Sequence, residues 1–315
     1  MKITVLDAKT LGDDIDLSPL SDIAEVTVFK TTPPTDVRKR VLNSDVVILN
    51  KIKFNENIVG KNSGVKLLCV TATGFDNIDL DFCRSENIAV SNVVGYSTDS
   101  VAQLTLAIAL SLFTHLEEYN LFSKSGEYTK SGIQNCLTPV YHEISGKTWG
   151  IVGFGNIGKK VCEIAKALGC NILVYKKTPE KHLPCVDIDT LCKNSDIISI
   201  HIPLNEATNN LINKERLALM KKDAILINSA RGAVTDEEAI TDALISGKIA
   251  GFGTDVYSSE PYPENHCFNK LKDYKNVILT PHMAWGAYEA RQRCITEIAK
   301  NINAFYNGEK RNRVD

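Results

Sequence analysis

The 315-residue sequence predicts an α/β protein of two αβα lobes, each built on a parallel sheet, with a ligand cleft between them. Three observations predict it. The chain is longer than one hydrophobic core usually organises. Short β-rich runs alternate with polar, helix-like stretches, which is the rhythm of parallel βα units. That rhythm occurs twice, and a long helical stretch separates the two series.

The first series has its β-rich runs at residues 3–6, 25–29, 46–49, 66–70 and 89–91. Between residues 98 and 121, Val101, Leu104, Ile108, Leu112 and Leu116 recur at helical spacing, which predicts one long helix. After a polar stretch at 124–145 the second series follows, at 148–152, 171–175, 197–201, 224–228, 249–254 and 277–280, enough strands for a complete dinucleotide-binding fold. Residues 288–307 read as a helix too short to be a domain, so they are expected to pack back on the first lobe. The division is therefore 1–99 plus 285–315 for one discontinuous lobe and 100–284 for the other.

The formal net charge of −2 supplies no basic field for nucleic acid or anionic lipid, so neither is an expected partner. Met1-Lys2-Ile3-Thr4-Val5-Leu6-Asp7 meets an acid before a signal-peptide core forms, and no run of about eighteen apolar residues occurs. The expectation is a soluble, cytoplasmic protein. Its nine cysteines include no Cys-x-x-Cys pair, and are read as reduced packing residues. His115, His142, His182 and His266 have no partner at metal-ligand spacing, so no metal is expected.

Gly153-Phe154-Gly155-Asn156-Ile157-Gly158 follows an apolar strand and opens a helix. In that context each glycine answers a separate steric demand, with a tight turn at Gly153, close approach of the backbone to a pyrophosphate at Gly155, and close helix-to-strand packing at Gly158. The second lobe is thus read as a Rossmann-like nucleotide lobe and the first, flavodoxin-like, as the substrate-binding lobe. An acid that bonds the adenosine ribose belongs at the end of the next strand. The chain has Tyr175-Lys176-Lys177-Thr178 there. Lys176 removes a carboxylate that repels a 2′-phosphate and adds a charge that attracts one, so the cofactor reading is NAD(P)(H), with NADPH at least as good a candidate as NADH.

Three polar groups sit at the carboxyl ends of late strands, where open α/β sheets bind ligands: Arg231, Glu260 and His282. An arginine offers a fork of donors to a carboxylate or polarised carbonyl. A histidinium protonates the oxygen that hydride addition turns into an alkoxide, and a neighbouring carboxylate orients it and favours its charged form. Singly each has a bland reading as a cap, a turn acid or a packed loop histidine; as an ordered set after a nucleotide loop they read as a reduction site. Lys51, after the third strand, reads either as a solvated lysine or as a cleft residue that helps an anionic substrate.

With these residues and the stretches Thr73-Gly74-Phe75-Asp76-Asn77-Ile78-Asp79, Asn92-Val93-Val94-Gly95-Tyr96-Ser97-Thr98-Asp99-Ser100, Asn228-Ser229-Ala230-Arg231-Gly232, Asp255-Val256-Tyr257-Ser258-Ser259-Glu260-Pro261 and Thr280-Pro281-His282-Met283-Ala284-Trp285, the chain resembles the D-isomer-specific 2-hydroxyacid dehydrogenases over nearly its whole length. The resemblance implies that Arg231 binds the substrate carboxylate and carbonyl, that His282 is the acid/base and that Glu260 pairs with it. It implies that backbone amides at Thr73 and Gly74 hold the carboxylate. Asp255 and Ala230, with Ser229 beside them, are implied at the nicotinamide end of the cofactor, and His201, Pro203 and Thr208 along its flank. Lys176 is the main departure from the family pattern.

The resemblance points to a hydroxypyruvate or glyoxylate reductase, equivalently a D-glycerate dehydrogenase. A D-lactate or bulkier D-2-hydroxyacid dehydrogenase is the same-fold alternative, and a nucleotide-sensing, corepressor-like binding protein the alternative of a different class. A homodimer through the nucleotide lobes is expected from the apolar surface of the helix after Thr98 and the arm that follows it.

Overall fold

The computed structural model describes residues 1–315. The chain divides into two compact units, Met1–Ser97 with Trp285–Asp315, and Thr98–Ala284. In the first unit β1 (Lys2–Val5), β2 (Glu25–Val28), β3 (Val46–Leu49), β4 (Leu67–Val70) and β5 (Ala89–Ser91) form a parallel sheet in the order β2-β1-β3-β4-β5. Side chains alternate between the faces of a strand, and here both faces are covered: Val46 and Ile48 join one core, Val47 and Leu49 the other. The helix Tyr288–Tyr306 supplies Ala290, Cys294, Ile295, Ile298 and Ile302 to the first of these cores, which anchors the C-terminal segment on this unit. Near-continuous apolar strands are what a parallel sheet buried on both faces requires.

The second unit holds β6 (Thr148–Val152), β7 (Asn171–Tyr175), β8 (Ile197–Ile200), β9 (Ile225–Asn228), β10 (Gly251–Thr254) and β11 (Val277–Leu279), parallel and ordered β11-β10-β9-β8-β6-β7. Beyond β7 a single bridge joins Val174 to Cys185. Counting that bridge as a short strand, the order becomes 3-2-1-4-5-6-7, the dinucleotide-binding arrangement with one strand added. The glycine loop after β6 then lies at the point where strand order reverses. On the sheet's faces, Ile151, Ile225 and Ile227 meet Ala102, Ile108 and Leu112 of the helix Thr98–Phe113, while Val152, Ile198, Leu226 and Phe252 enter the opposite core. Glycine in β10 lets that helix approach: a Cβ on Gly253 would stand 2.2 Å from Ile108 Cγ2.

One helix expected from Thr98 onward is in fact two. The helix ends at Phe113, a second runs Leu116–Lys124, and the two are bent by 66°. His115 between them has φ 53°, in the left-handed region that terminates a right-handed helix. The apolar spacing runs on to Leu116 because it records which face carries apolar residues, not whether the backbone continues. The second helix buries none of its residues in this chain.

No single helix is long and apolar enough to cross a membrane. All nine cysteines are free thiols, and seven of them are buried. Burial pushes Cys69, Cys83 and Cys192 up to about 12, which keeps them protonated and unreactive.

Candidate active site

The glycine loop is the first component of the site. Gly153 has φ +98°, and a Cβ there would stand 2.7 Å from the His201 carbonyl oxygen. Its N–H donates to Tyr175 O at 2.8 Å, which fixes the loop to the end of β7. A Cβ on Gly158 would lie 2.1 Å from Gly153 O, so helix and strand pack there as only glycine allows. Gly155 differs, because the space its Cβ would fill is open. It caps the helix Asn156–Ala167 without any side-chain hydrogen bond, leaving the first-turn amides of Asn156, Ile157 and Gly158 pointing toward that space. An open cradle of amides at a helix N-terminus fits a pyrophosphate.

His201 flanks the same loop. Trp149 Nε1 donates to Ser199 Oγ at 2.9 Å, and Ser199 Oγ stands 2.9 Å from His201 Nε2. Indole nitrogen only donates, so Ser199 Oγ accepts from Trp149, and its own hydrogen or its second lone pair faces His201 Nε2. His201 Nδ1 is buried without a protein partner. Burial pushes His201 down to about 3, so it is neutral at working pH. A buried polar atom without a partner costs stability unless a ligand satisfies it. Thr208 Oγ1 closes the adjoining turn by donating to Pro203 O at 2.7 Å. Lys176, just past β7, is ion-paired with Glu180, so the segment after β7 carries Lys176 and Lys177 with one acid among them.

The candidate reacting side chains are held by braces. After β9, Asn228 accepts from Ala230 N at 3.0 Å and donates to Arg231 O at 2.9 Å, so one amide fixes both ends of the segment that carries Ser229, Ala230 and Arg231. The turn beyond is pressed so close that a Cβ on Gly232 would meet Tyr257 C at 2.0 Å. Arg231 Nη1 donates to Ala230 O at 2.8 Å. His282 Nδ1 lies 2.5 Å from Glu260 Oε2, and the other oxygen of Glu260 accepts from Tyr257 N at 3.0 Å. His282 N donates to Thr280 O at 3.0 Å across Pro281, and His282 itself has φ 53°. A non-glycine residue held in that region points to a constrained, functional segment.

Two braces were not foreseen from the sequence. Asp255, 1% exposed, accepts from Thr280 Oγ1 at 2.6 Å and from Met283 N and Ala284 N at 2.8 Å each, so its carboxylate holds the segment carrying His282. Glu237 accepts from Ser258 N at 2.9 Å, from Ser258 Oγ and from His266 Nε2 at 3.1 Å, and so holds the turn carrying Glu260. Glu237 lies outside the strand-end pattern, and Asp255, which directly follows β10, is expected from the resemblance at the cofactor and not as a brace. Only the spacing to the residues they brace, far along the chain, carries their signal.

In the other unit, Thr73 and Gly74 follow β4. Asn92 Nδ2 donates to Thr73 O and Thr73 Oγ1 to Val93 O, both at 2.8 Å, which fixes the loop. The amides of Thr73 and Gly74 donate to no protein acceptor. Lys51, after β3, is exposed, and its amide donates to Asp7. No three His, Cys, Asp or Glu side chains converge as metal ligands would.

Residues 106–284 match the family described as "D-isomer specific 2-hydroxyacid dehydrogenase, NAD binding domain". A hydroxypyruvate reductase of Blautia hydrogenotrophica is 33% identical over the whole of both chains. A glyoxylate reductase of Thermococcus litoralis is 38% identical over 89% of this chain and 86% of its own. Among solved structures, the acyclic imino acid reductase Bsp5 in complex with NADPH and D-Arg superposes with a TM-score of 0.88 at 31% identity, all of both chains being covered.

Proposed function

The chain belongs to the D-isomer-specific 2-hydroxyacid dehydrogenases, oxidoreductases of the CH–OH group that use a nicotinamide cofactor, and from that premise we propose that it is a hydroxypyruvate or glyoxylate reductase, equivalently a D-glycerate dehydrogenase. The relatives named for those two activities support the substrate class. The observation that carries the reading is the His282–Glu260 pair at 2.5 Å, on the same strand-end edge as Arg231 and the glycine loop.

A reduced nicotinamide, when bound, supplies the hydride that reaches the carbonyl carbon. Everything else falls to side chains and amides of the protein. Arg231 presents its donors to the carboxylate and the carbonyl oxygen, polarising the bond. The unpaired amides of Thr73 and Gly74 are suited to the same carboxylate, with Lys51 adding charge near the end of β3. Because Nδ1 of His282 is held by Glu260, Nε2 is the nitrogen that gives its proton to the carbonyl oxygen, so that hydride and proton together complete the hydroxyl. Glu260 keeps the ring oriented and compensates the imidazolium. A panel of glyoxylate, hydroxypyruvate, pyruvate and a branched 2-oxo acid, each with NADH and NADPH and followed by absorbance, tests the reading. It expects the highest kcat/KM on one of the first two; a preference for pyruvate or the branched acid assigns the chain to another branch.

Glu260→Gln is expected to lower kcat for reduction, because the carboxylate that orients the ring through Nδ1 is lost. An unaltered kcat in that variant contradicts the pairing.

NADPH is proposed to serve at least as well as NADH, on the charge of Lys176 and Lys177. A charge-assisted hydrogen bond contributes about 1.5–3 kcal/mol, so Lys176→Asp should lower the NADPH-to-NADH efficiency ratio by about ten- to a hundredfold. An unchanged ratio makes Lys176 a bystander whose charge is spent on Glu180.

The enzyme is further proposed to be a homodimer. Leu116, Leu121, Ile133, Leu137 and Val140 of the arm after Phe113 are each more than half exposed, an apolar concentration that marks an interface. Light scattering should give twice the monomer mass at micromolar concentration; a monomer mass refutes it.

A further inference from the structure

The sheet of the first unit has a switch point of its own. In the order β2-β1-β3-β4-β5 the chain leaves β1 and β3 toward opposite sides, and open α/β sheets place ligands outside the carboxyl ends of their strands at such a point. A cavity of about 530 Å³ opens there, lined by Asp7, Lys9 and Thr10 after β1, by residues 30–32 after β2, and by residues 51–53 after β3. That volume is within the range of small-molecule sites. Its walls are fixed: Asp7 accepts from Asn50 N at 2.9 and 3.1 Å and from Lys51 N at 2.8 Å, tying the end of β1 to the end of β3. Thr10 Oγ1 donates to Asp7 O at 2.8 Å, and Thr32 Oγ1 to Leu6 O at 2.5 Å.

The lining carries four ammonium groups, Lys9, Lys30, Lys51 and Lys53. At this lining Asp13 pairs with Lys30 at 2.8 Å, and the carboxylate of Asp7 is occupied by backbone amides. Lys9 and Lys53 make no ion pair. At exposed lysines a single negative charge gains little, so a ligand held there needs at least two.

We propose that this cavity is a second anion site, which takes a small organic anion of two or more negative charges, such as a di- or tricarboxylate or a phosphorylated acid. Two sources share that chemistry. One is a separate effector. The other is the distal charged group of an elongated 2-oxo acid: β1 lies two strands from β4, about 10 Å at the usual strand spacing, within reach of a diacid whose 2-oxo end is held at Thr73 and Gly74. The second source rests on the reductase reading; the site itself does not.

Isothermal calorimetry with citrate, inorganic pyrophosphate and acetate on the full chain tests the site without turnover, so its failure and that of the reductase reading are told apart. Citrate or pyrophosphate should bind, acetate should not, and Lys9→Glu/Lys53→Glu should weaken the binding at least about tenfold. Lys9→Gln/Lys53→Gln should give a smaller loss in the same direction. In the kinetic arm, KM for glyoxylate should be unchanged in the double variants. A KM for 2-oxoglutarate that rises about tenfold in the same variants identifies the anion as the substrate's own; one that stays level while citrate binding is lost identifies a separate effector. Wild-type affinity for both polyanions weaker than about 10 mM, or affinity unaltered by the charge reversals, overturns the proposal.

Discussion

Replacing His282 by alanine is expected to lower kcat for 2-oxo acid reduction by about a hundredfold to ten-thousandfold, the usual contribution of a positioned general acid, while cofactor affinity stays close to that of the unaltered enzyme. The geometry separates the two effects. His282 sits after β11 with Nδ1 against Glu260, whereas the cradle of amides expected to hold the dinucleotide follows β6. Single-turnover kinetics with fluorescence titration of the cofactor checks both halves. Because His282 occupies a left-handed conformation, backbone strain in the alanine variant is a competing cause of any loss. Asparagine tolerates that region well, so His282→Asn should lose as much rate as alanine if the proton is what matters. Recovery of rate in the asparagine variant assigns the loss to the turn instead.

Arg231→Ala is expected to act on binding as well as on chemistry. The guanidinium is rigid and offers parallel donors to a planar carboxylate, and each hydrogen bond to a charged group contributes about 1.5–3 kcal/mol. Loss of two lowers kcat/KM by about two to four orders of magnitude, with KM raised strongly, since the group holds the substrate in both ground and transition states. Arg231→Lys should rescue only part of this, because a point charge on a flexible stem does not restore the fork. A KM near that of the unaltered enzyme in the alanine variant removes Arg231 from the substrate.

Much of this architecture is legible in the chain itself, for identifiable reasons. Strands such as Val46–Leu49 and Ile225–Asn228 are apolar on both faces because both faces are covered, so they stand out as short continuous runs. The glycine loop is readable because Gly153 and Gly158 each meet a steric demand while Gly155 leaves its space open, and the candidate reacting groups because Arg231, Glu260 and His282 each follow a strand end. What escapes the sequence lacks either length or locality. The bridge at Cys185 is one residue long and has no periodicity to detect. The break at His115 lies in a single backbone rotation inside an unbroken apolar stripe. Asp255 presents a sharper case. Its motif suggests a contact with the nicotinamide end, while in the fold its carboxylate accepts three hydrogen bonds from the His282 segment, 25 to 29 residues away in the chain.

The central claim is that this chain delivers hydride and proton to the carbonyl of a small 2-oxo acid and forms the D product. Chiral chromatography of the product formed from hydroxypyruvate with NADPH tests it most directly, because configuration depends on which face of the carbonyl meets the cofactor while Arg231 and His282 hold the other groups. D-glycerate as the sole product, formed at a rate that collapses in His282→Ala, is the result expected; L-glycerate, a racemic mixture, or no glycerate from the intact enzyme with either cofactor contradicts the account.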